Sequence, residues 1–393
     1  MVLPAPTIQL VARKYQLIRL VRSGGMGAVY EVVNVDTRGR CAMKLLRPDV
    51  ADKPDFKERF LREARACSVV SSDHIVKVFD SGTDAETGSP YLVMEYLEGE
   101  DVEATKARLG AMNPSACLKI VLQAALGLAK AHAAGIVHRD IKPANLFLQI
   151  DEETEEVTVK VCDFGVAKRT RVSEHNNAVS HLSLTRTGGM LGSPMYMSPE
   201  QAKNAKAVDE RSDVWSLSVV LWEALSGQRL WGGQTSLGEL IVAICTEPIP
   251  QLDVVASWVP LDLARVVHRG LERDPNLRPS SMRAFIESLS VFSGGSDRVQ
   301  KSQLVALTVA ERGALQLKVS ISASAAAGMA NLARGGRGGT SLPPERVSWQ
   351  RSTKTGTGAG VGARVANSWS VAVLLIIVVG GLSLLLGYLM RKH

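Results

Sequence analysis

The chain has 393 residues, 46% apolar and 22% charged, which fits a globular protein of two or three units rather than one small core. Its net charge of +7 is unevenly placed: residues 291–370 carry ten Lys/Arg against three acids, Arg391 and Lys392 add two more bases, and the first 290 residues hold 34 basic and 36 acidic side chains. The basic balance belongs to the tail and gives no argument for nucleic-acid binding by the folded part. The five cysteines, at 41, 67, 117, 162 and 245, lack metal-ligand spacing and mostly sit in apolar runs, as buried free thiols of a reducing compartment would. The start, Met1-Val2-Leu3-Pro4, lacks a charged stretch followed by an apolar run, so no secretory signal is expected.

After a loose lead-in over 1–14, residues 15–21 alternate as a strand, Arg22-Ser23-Gly24-Gly25-Met26-Gly27 form a Gly-rich turn, and 28–35 form a second strand. No helix signal follows the glycines, so this is a hairpin and not a P-loop or dinucleotide fingerprint. Its bare backbone can lie close over phosphates, although the same pattern also describes an ordinary tight turn. A third strand, 40–46, carries Lys44 in an apolar setting, which by itself fits a snorkelling lysine. Residues 55–70 form an amphipathic helix with Phe56, Phe60, Leu61 and Ala64 on one face and Glu63 beside it. Strands over 75–80 and 91–95 and a connector over 96–100 follow.

Beyond residue 100 the pattern becomes helical. A long helix over 114–134 is ended by Gly135. Next comes His138-Arg139-Asp140-Ile141-Lys142-Pro143-Ala144-Asn145, a loop because Pro143 excludes a helix interior. A strand (146–148), an acidic turn (151–156) and another strand (157–161) lead to Asp163-Phe164-Gly165. An acid and an amide on one loop, with a second acid on a nearby turn, suit Mg²⁺, which takes oxygen ligands and few protein carboxylates. The polar stretch 167–193 has no core pattern. Helices are expected over 212–226, 234–246, 261–271 and 280–290. Residues 291–370, rich in Gly, Ser, Ala and Arg, are expected to be a flexible basic linker. Residues 371–390 are an uncharged run of twenty that as a helix would be roughly 30 Å long, the thickness of a hydrocarbon core. Trp369 and Tyr388 sit near its ends, where amphipathic rings prefer the interface.

The Gly-rich hairpin, Ala42-Met43-Lys44, His138-Arg139-Asp140 with Asn145, Asp163-Phe164-Gly165 and Ser198-Pro199-Glu200 stand in an order and spacing that resemble the protein-kinase family over residues 15–290. The resemblance implies an α+β bilobal kinase fold: a small antiparallel-sheet lobe with one helix and a larger, mainly helical lobe, followed here by the linker and one transmembrane helix. Gly24-Gly25-Met26-Gly27-x-Val29-Tyr30 and Tyr196-Met197-Ser198-Pro199-Glu200-Gln201 are similar to bacterial Hanks-type (eukaryotic-like) serine/threonine kinases.

That likeness implies ATP and Mg²⁺, with Mn²⁺ as a substitute. Asp140 would accept or orient the substrate hydroxyl, and Lys142 would stabilise the moving phosphoryl group and favour Ser/Thr substrates. Asn145 and Asp163 would hold the metal. Lys44 would bind the α/β phosphates and pair with Glu63. Val21, Gly24, Gly25, Met26, Gly27 and Val29 would line the hairpin over the nucleotide. Glu95 and Leu97 would offer backbone groups to adenine, with Met94 setting pocket depth and Cys162 merely packing. Glu200 and Arg278 would form a buried ion pair, and Asp213 would accept backbone hydrogen bonds from the catalytic loop. Arg139 would receive a phosphate from the loop over 167–193, with Thr185 and Thr187 the candidates for autophosphorylation and Ser193 at the substrate-facing turn.

Two positions depart from the pattern: Arg22 replaces the first glycine of the hairpin, where it would either weaken closure or contact phosphate, and Ser218 replaces a glycine. A nucleotide-binding pseudokinase or scaffold and a small-molecule phosphotransferase are the alternatives; the complete catalytic set argues against the first and the Met-Ser-Pro-Glu segment against the second. ATP being cytoplasmic, the kinase domain would lie inside a single-pass cell-membrane protein with three residues across. Expected partners are protein substrates, membrane lipid through 371–390 and the basic linker, and a second copy through Gly380, Gly381 and Gly387; no nucleic-acid partner is expected.

Overall fold

The structure is a computed structural model that describes residues 9–24, 27–51, 57–58, 60–61, 68–164, 194–203 and 208–320. A six-stranded antiparallel sheet comes first: β1 (Leu10–Val11), β2 (Tyr15–Ser23), β3 (Gly27–Asn34), β4 (Arg40–Leu46), β5 (Val78–Thr83) and β6 (Pro90–Glu95), in the order β1-β2-β3-β4-β6-β5. One face buries Val11, Tyr15, Val32, Cys41, Met43, Tyr91 and Val93, while Leu46 and Leu92 pack with Phe60. Period-2 alternation explains β4: Cys41 and Met43 share the core face, and Lys44 falls on the other. The sheet was expected as five strands; β1 was too short to show a pattern.

A second sheet, in the order β10-β9-β8-β7, joins β7 (Gly99–Asp101), β8 (Leu146–Ile150), β9 (Glu156–Val161) and β10 (Val299–Gln300). It packs on a helical lobe built of Val102–Leu109, Pro114–Ala133, Arg211–Ser226, Leu237–Thr246, Leu261–Gly270 and Met282–Ser290, with shorter helical turns between them. Helix Arg211–Ser226 is buried along nearly its whole length, and its polar side chains are tied off internally. Ser216 donates to the Tyr196 carbonyl at 2.7 Å and Ser218 to the Val214 carbonyl at 2.8 Å. Ser218 is accommodated because Gly270 faces it: a Cβ at Gly270 would lie 2.0 Å from Ser218 Oγ. The departure at 218 is thus matched by the absence of a side chain at 270.

Several expectations need correction or refinement. The strand expected over 75–80 runs instead over Val78–Thr83, because Ile75 and Val76 are buried for another reason. Ile75 bridges Val161 in parallel, and Val76 N–H donates to the Val161 carbonyl at 3.1 Å, so this stretch pairs with the end of β9. The connector over 96–100 is shorter than expected. It runs into β7 and the unforeseen helix Val102–Leu109, whose N-cap Asp101 accepts Ala104 N–H at 2.8 Å. Residues 57–58, 60–61 and 68–69 are helical, while the remaining residues expected between them, Glu63 included, lie outside the described residues. Of the cysteines, Cys41 and Cys117 are buried free thiols, burial pushing Cys117 up to about 12, but Cys162 and Cys245 are only half-buried.

A further correction concerns the linker. Its first thirty residues are folded. β10 pairs with β9 through Val299↔Val157 and Gln300↔Glu156, and Met112 bridges Ala306. Val299, Leu304 and Leu307 are buried, and Gln123 donates to the Asp297 carbonyl at 2.8 Å while accepting Val159 N–H at 2.7 Å. The Gly/Ser/Arg composition that signals a linker starts further on, and averaging over 291–370 hid three spaced apolar anchors. The rest of the expected linker and the apolar run over 371–390 lie outside the described residues.

A chain ending at Ser290 should therefore melt below one ending at Ser320. Burying each of the three anchors is worth about 1.5–3 kcal/mol, so the difference should be at least roughly 5 °C. Equal melting temperatures would show that the segment is only a passenger.

Candidate active site

The loop His138–Asn145 is held from below by one carboxylate. Asp213, fully buried in helix Arg211–Ser226, accepts His138 N–H at Oδ2 and Arg139 N–H at Oδ1, both at 2.8 Å; His132 Nε2 also lies 2.8 Å from Oδ2. Arg139 is thereby held at φ 66°, a left-handed conformation that non-glycine residues rarely adopt. Buried His138 accepts Asp140 N–H at Nδ1 (3.2 Å), so its Nε2–H donates to the Cys162 carbonyl (3.0 Å). Accepting at Nδ1 requires the neutral ring, and burial pushes the His138 pKa down, in keeping with that tautomer. Its ring tilts against the buried Phe164 at a centroid distance of 4.6 Å.

The functional side chains emerge from this frame. Lys142 Nζ lies 3.2 Å from Asp140 Oδ2. Asn145, in the 3₁₀ turn Pro143–Asn145, donates Nδ2 to the Asp140 carbonyl at 2.8 Å, and its own carbonyl accepts Cys162 N–H at 2.9 Å. Cys162 thus works through its backbone, on which both His138 and Asn145 rest. Asp163 follows at φ 55°, and its Oδ1 meets Lys44 Nζ from β4 at 2.7 Å. Burial pushes the Asp163 carboxyl up, but the Lys44 ammonium outweighs it and holds the group below its ordinary range. The Asn145 amide, oriented by its Nδ2 bond, presents its oxygen away from Asp140. With the Asp163 carboxylate it makes an all-oxygen donor pair that fits a hard divalent cation shared with phosphates.

The hairpin forms the roof. Gly24 N–H donates to the Gly27 carbonyl at 2.9 Å, and a Cβ at Gly27 would lie 2.1 Å from the Leu45 carbonyl oxygen, so only glycine fits at 27. Val21 is exposed and Val29 half-buried on the flanking strands; Gly25 and Met26 lie outside the described residues. At the hinge Met94 is buried. Glu95 N–H is taken by the Lys77 carbonyl at 3.0 Å, so the backbone group that Glu95 can offer a base is its carbonyl. Leu97 is half-buried in the connector that follows.

Three residues of the site were not singled out from the sequence. Lys160 on β9, nearly buried, reaches Glu95 at 3.0 and 3.2 Å and ties the hinge to the strand that delivers Asp163. A lone lysine within Val157-Thr158-Val159-Lys160-Val161 was the available signal. Asp101 receives Arg22 Nη1 at 3.1 Å, so Arg22 touches the opposite lobe. Glu223, fully buried, joins Lys106, Tyr196 Oη (2.8 Å) and Leu230 N–H (3.1 Å), anchoring the turn after Ser193. Burial and the Glu223 carboxylate push the Tyr196 phenol strongly up, so it remains a donor.

Glu200 and Arg278 form the expected buried pair, bidentate at 2.7 and 2.8 Å, with Ser212 Oγ donating to Glu200 at 2.6 Å and Trp215 under the guanidinium. Arg139 also holds this segment: its carbonyl accepts Gln201 Nε2 at 2.9 Å. Thr185, Thr187 and Ser193 lie outside the described residues.

The family comparison matches residues 15–289 to the protein kinase domain. The chain belongs to that family. It is 35% identical over 312 residues to the serine/threonine-protein kinase Pkn1 of Myxococcus xanthus, covering 78% of this chain and 42% of that protein. It is 35% identical over 295 residues to the serine/threonine-protein kinase PknA of Mycobacterium tuberculosis, covering 74% of this chain and 64% of the relative. The chain thus spans less than two thirds of the length of either relative. Among solved structures it resembles the kinase domain of M. tuberculosis PknI, with 25% identity and a TM-score of 0.55 over 73% of this chain and 99% of the other.

Arg278→Leu should cost about 3–5 kcal/mol in chemical unfolding at neutral pH, because it strands Glu200 inside the lobe. Burial pushes Glu200 up, but Arg278 outweighs it and holds the carboxyl below its ordinary value of 4.5. The pair's stabilisation is therefore complete above pH 4.5 and drains away as pH falls through the lowered folded value. Unfolding of wild type and Glu200→Gln compared across that window should show the flatter acid dependence in the variant; parallel curves would refute the assignment.

Proposed function

We propose that the protein is a serine/threonine protein kinase that transfers the γ-phosphoryl group of ATP to Ser/Thr hydroxyls, its own loop included, from the cytoplasmic face of a cell membrane. The reading is carried by the convergence of Asp140, Lys142, Asn145 and the Lys44–Asp163 pair in one cleft beneath a Gly-rich hairpin. Phosphoryl transfer needs mainly positioning and charge neutralisation, and these side chains supply both. Asp140 accepts the proton of the incoming hydroxyl. Lys142, within reach of that carboxylate, neutralises the transferring group, and Lys44 neutralises the nucleotide phosphates. Asn145 and Asp163 would hold Mg²⁺, or Mn²⁺ in its place, which would supply charge neutralisation to the phosphates.

Arg139 is the receiver for phosphate on Thr185 or Thr187, which would order the segment before Ser193. Full-length protein with Mg-ATP and a basic protein substrate should yield phosphoserine or phosphothreonine. Asp140→Asn should reduce the rate by at least about 100-fold, and the Thr185→Ala/Thr187→Ala double variant should lose autophosphorylation and activity. Absence of any protein phosphorylation would favour a nucleotide-binding scaffold instead, and an undiminished double variant would remove the regulatory role of the two threonines.

The membrane assignment rests on the length and apolarity of residues 371–390 alone. Anchoring through that run, with lipid contact by the basic tail and pairing of copies through Gly380, Gly381 and Gly387, completes the proposal. Deleting 371–390 should move the protein from the membrane pellet to the supernatant on fractionation; a full-length chain already in the supernatant would refute it.

A further inference from the structure

Arg22 stands two residues from the tip-flanking Gly24 and pairs with Val29 across the hairpin. Its side chain crosses to the other lobe and places Nη1 3.1 Å from Asp101 Oδ2. Asp101 is built to receive it. The residue ends β7, pairs with Phe147 of β8, and spends its other oxygen, Oδ1, on the N-cap bond from Ala104. Its side chain is 17% exposed and that of Arg22 is 56% exposed, so a fixed carboxylate meets a movable arm. The arm belongs to a strand whose residues 18–23 are all exposed, held near the tip by backbone pairing to β3 and, further back, by Arg19 reaching Tyr96 Oη at 2.8 Å.

The two residues join the hairpin strand to the segment that follows the connector. Arg22 follows the roof residue Val21, and Asp101 lies four residues beyond the connector residue Leu97. At the back, the roof strand β4 is already joined to the floor through Lys44 and Asp163. We propose that the Arg22–Asp101 pair is a latch that closes the front of the nucleotide cleft, with Arg22 a positioning residue that slows nucleotide release. The inference rests on the nucleotide-site reading above. It replaces both sequence-based expectations for Arg22, since the side chain strengthens hairpin closure and does so through protein rather than phosphate. A solvent-exposed pair is weak and easily screened, which suits a latch that must open in every cycle.

The test is the dissociation rate of a fluorescent ATP analogue with Mg²⁺ from the full-length protein, by stopped flow against excess ATP. Arg22→Gly should release the analogue about two- to fivefold faster, the range of an exposed ion pair. Asp101→Asn keeps the capping oxygen and loses the acceptor for Arg22, and should act alike. The double variant should release no faster than the quicker single one, because both remove one interaction. In 0.5 M salt the wild type should approach the variants, the pair being screened at roughly 3–5 Å. Additive effects, a salt-independent difference, or a slower Arg22→Gly variant would overturn the latch. Binding with equal release rates would overturn it alone, whereas a protein that binds no analogue would overturn the nucleotide site and the latch together.

Discussion

A single buried carboxylate sets the geometry on which everything catalytic depends. Asp213 has no exposed surface, yet three donors from two chain segments converge on it at 2.8 Å. An unmatched charge there would be costly, and three charge-assisted bonds offset that cost. Because two of the bonds come from consecutive backbone N–H groups, they fix the path of the chain rather than one side chain. The strained φ of Arg139 is the visible consequence, and it is what turns Asp140 and Lys142 out of the core and towards the cleft. From His138 the constraint passes to Cys162 and so to Asp163, joining the acid of one loop to the acid of the next turn.

The ion pairs of this molecule differ in what burial lets them do. Glu200–Arg278 is bidentate and nearly dry, so its loss would leave a stranded charge, and it acts as a structural rivet between the segment after Ser193 and the helical lobe. Lys160–Glu95 and Lys44–Asp163 are partly buried and link hinge to β9 and roof to floor. Arg22–Asp101 is the most exposed of the four on its cationic side. Ranked this way, the pairs pass from fixed to openable along a line from the core to the cleft mouth. Elements that hold geometry are dry, and the one that must release is wet.

Much of this was legible in the sequence for identifiable reasons. Residues whose chemistry is unusual for their setting announced themselves: Asp140 and Asn145 flanking a proline, Lys44 in an apolar strand, Asp163 after a β-branched run. The Glu200–Arg278 pair and the anchoring role of Asp213 came from resemblance and agree with the geometry. What escaped notice was pairing across long separations. Arg22 and Asp101 are 79 residues apart, and neither position carries a local pattern that points to the other. Ile75 and Val76 have the alternation and bulk of a strand, but their apolar character serves burial against β9. Helix Val102–Leu109 shows only a faint apolar stripe, and its clearest signal is the capping aspartate.

The basic tail also reads differently once its beginning is seen folded. Arg298 lies 3.8 Å from Glu156, the first residue of β9, Lys301 lies 3.9 Å from Glu155 on the acidic turn before it, and Arg312 sits 5.0 Å from the Trp258 ring centre. Exposed pairs of this kind add little stability each. Their value is in register, because they place β10 against β9 with the correct face inward, where Val299 supplies the apolar contact. Part of the positive charge of residues 291–370 is therefore matched within the folded domain. The surplus is concentrated beyond residue 320, at Arg334, Arg337, Arg346, Arg351, Lys354 and Arg364. In the sequence that puts the cationic stretch immediately before the apolar run over 371–390.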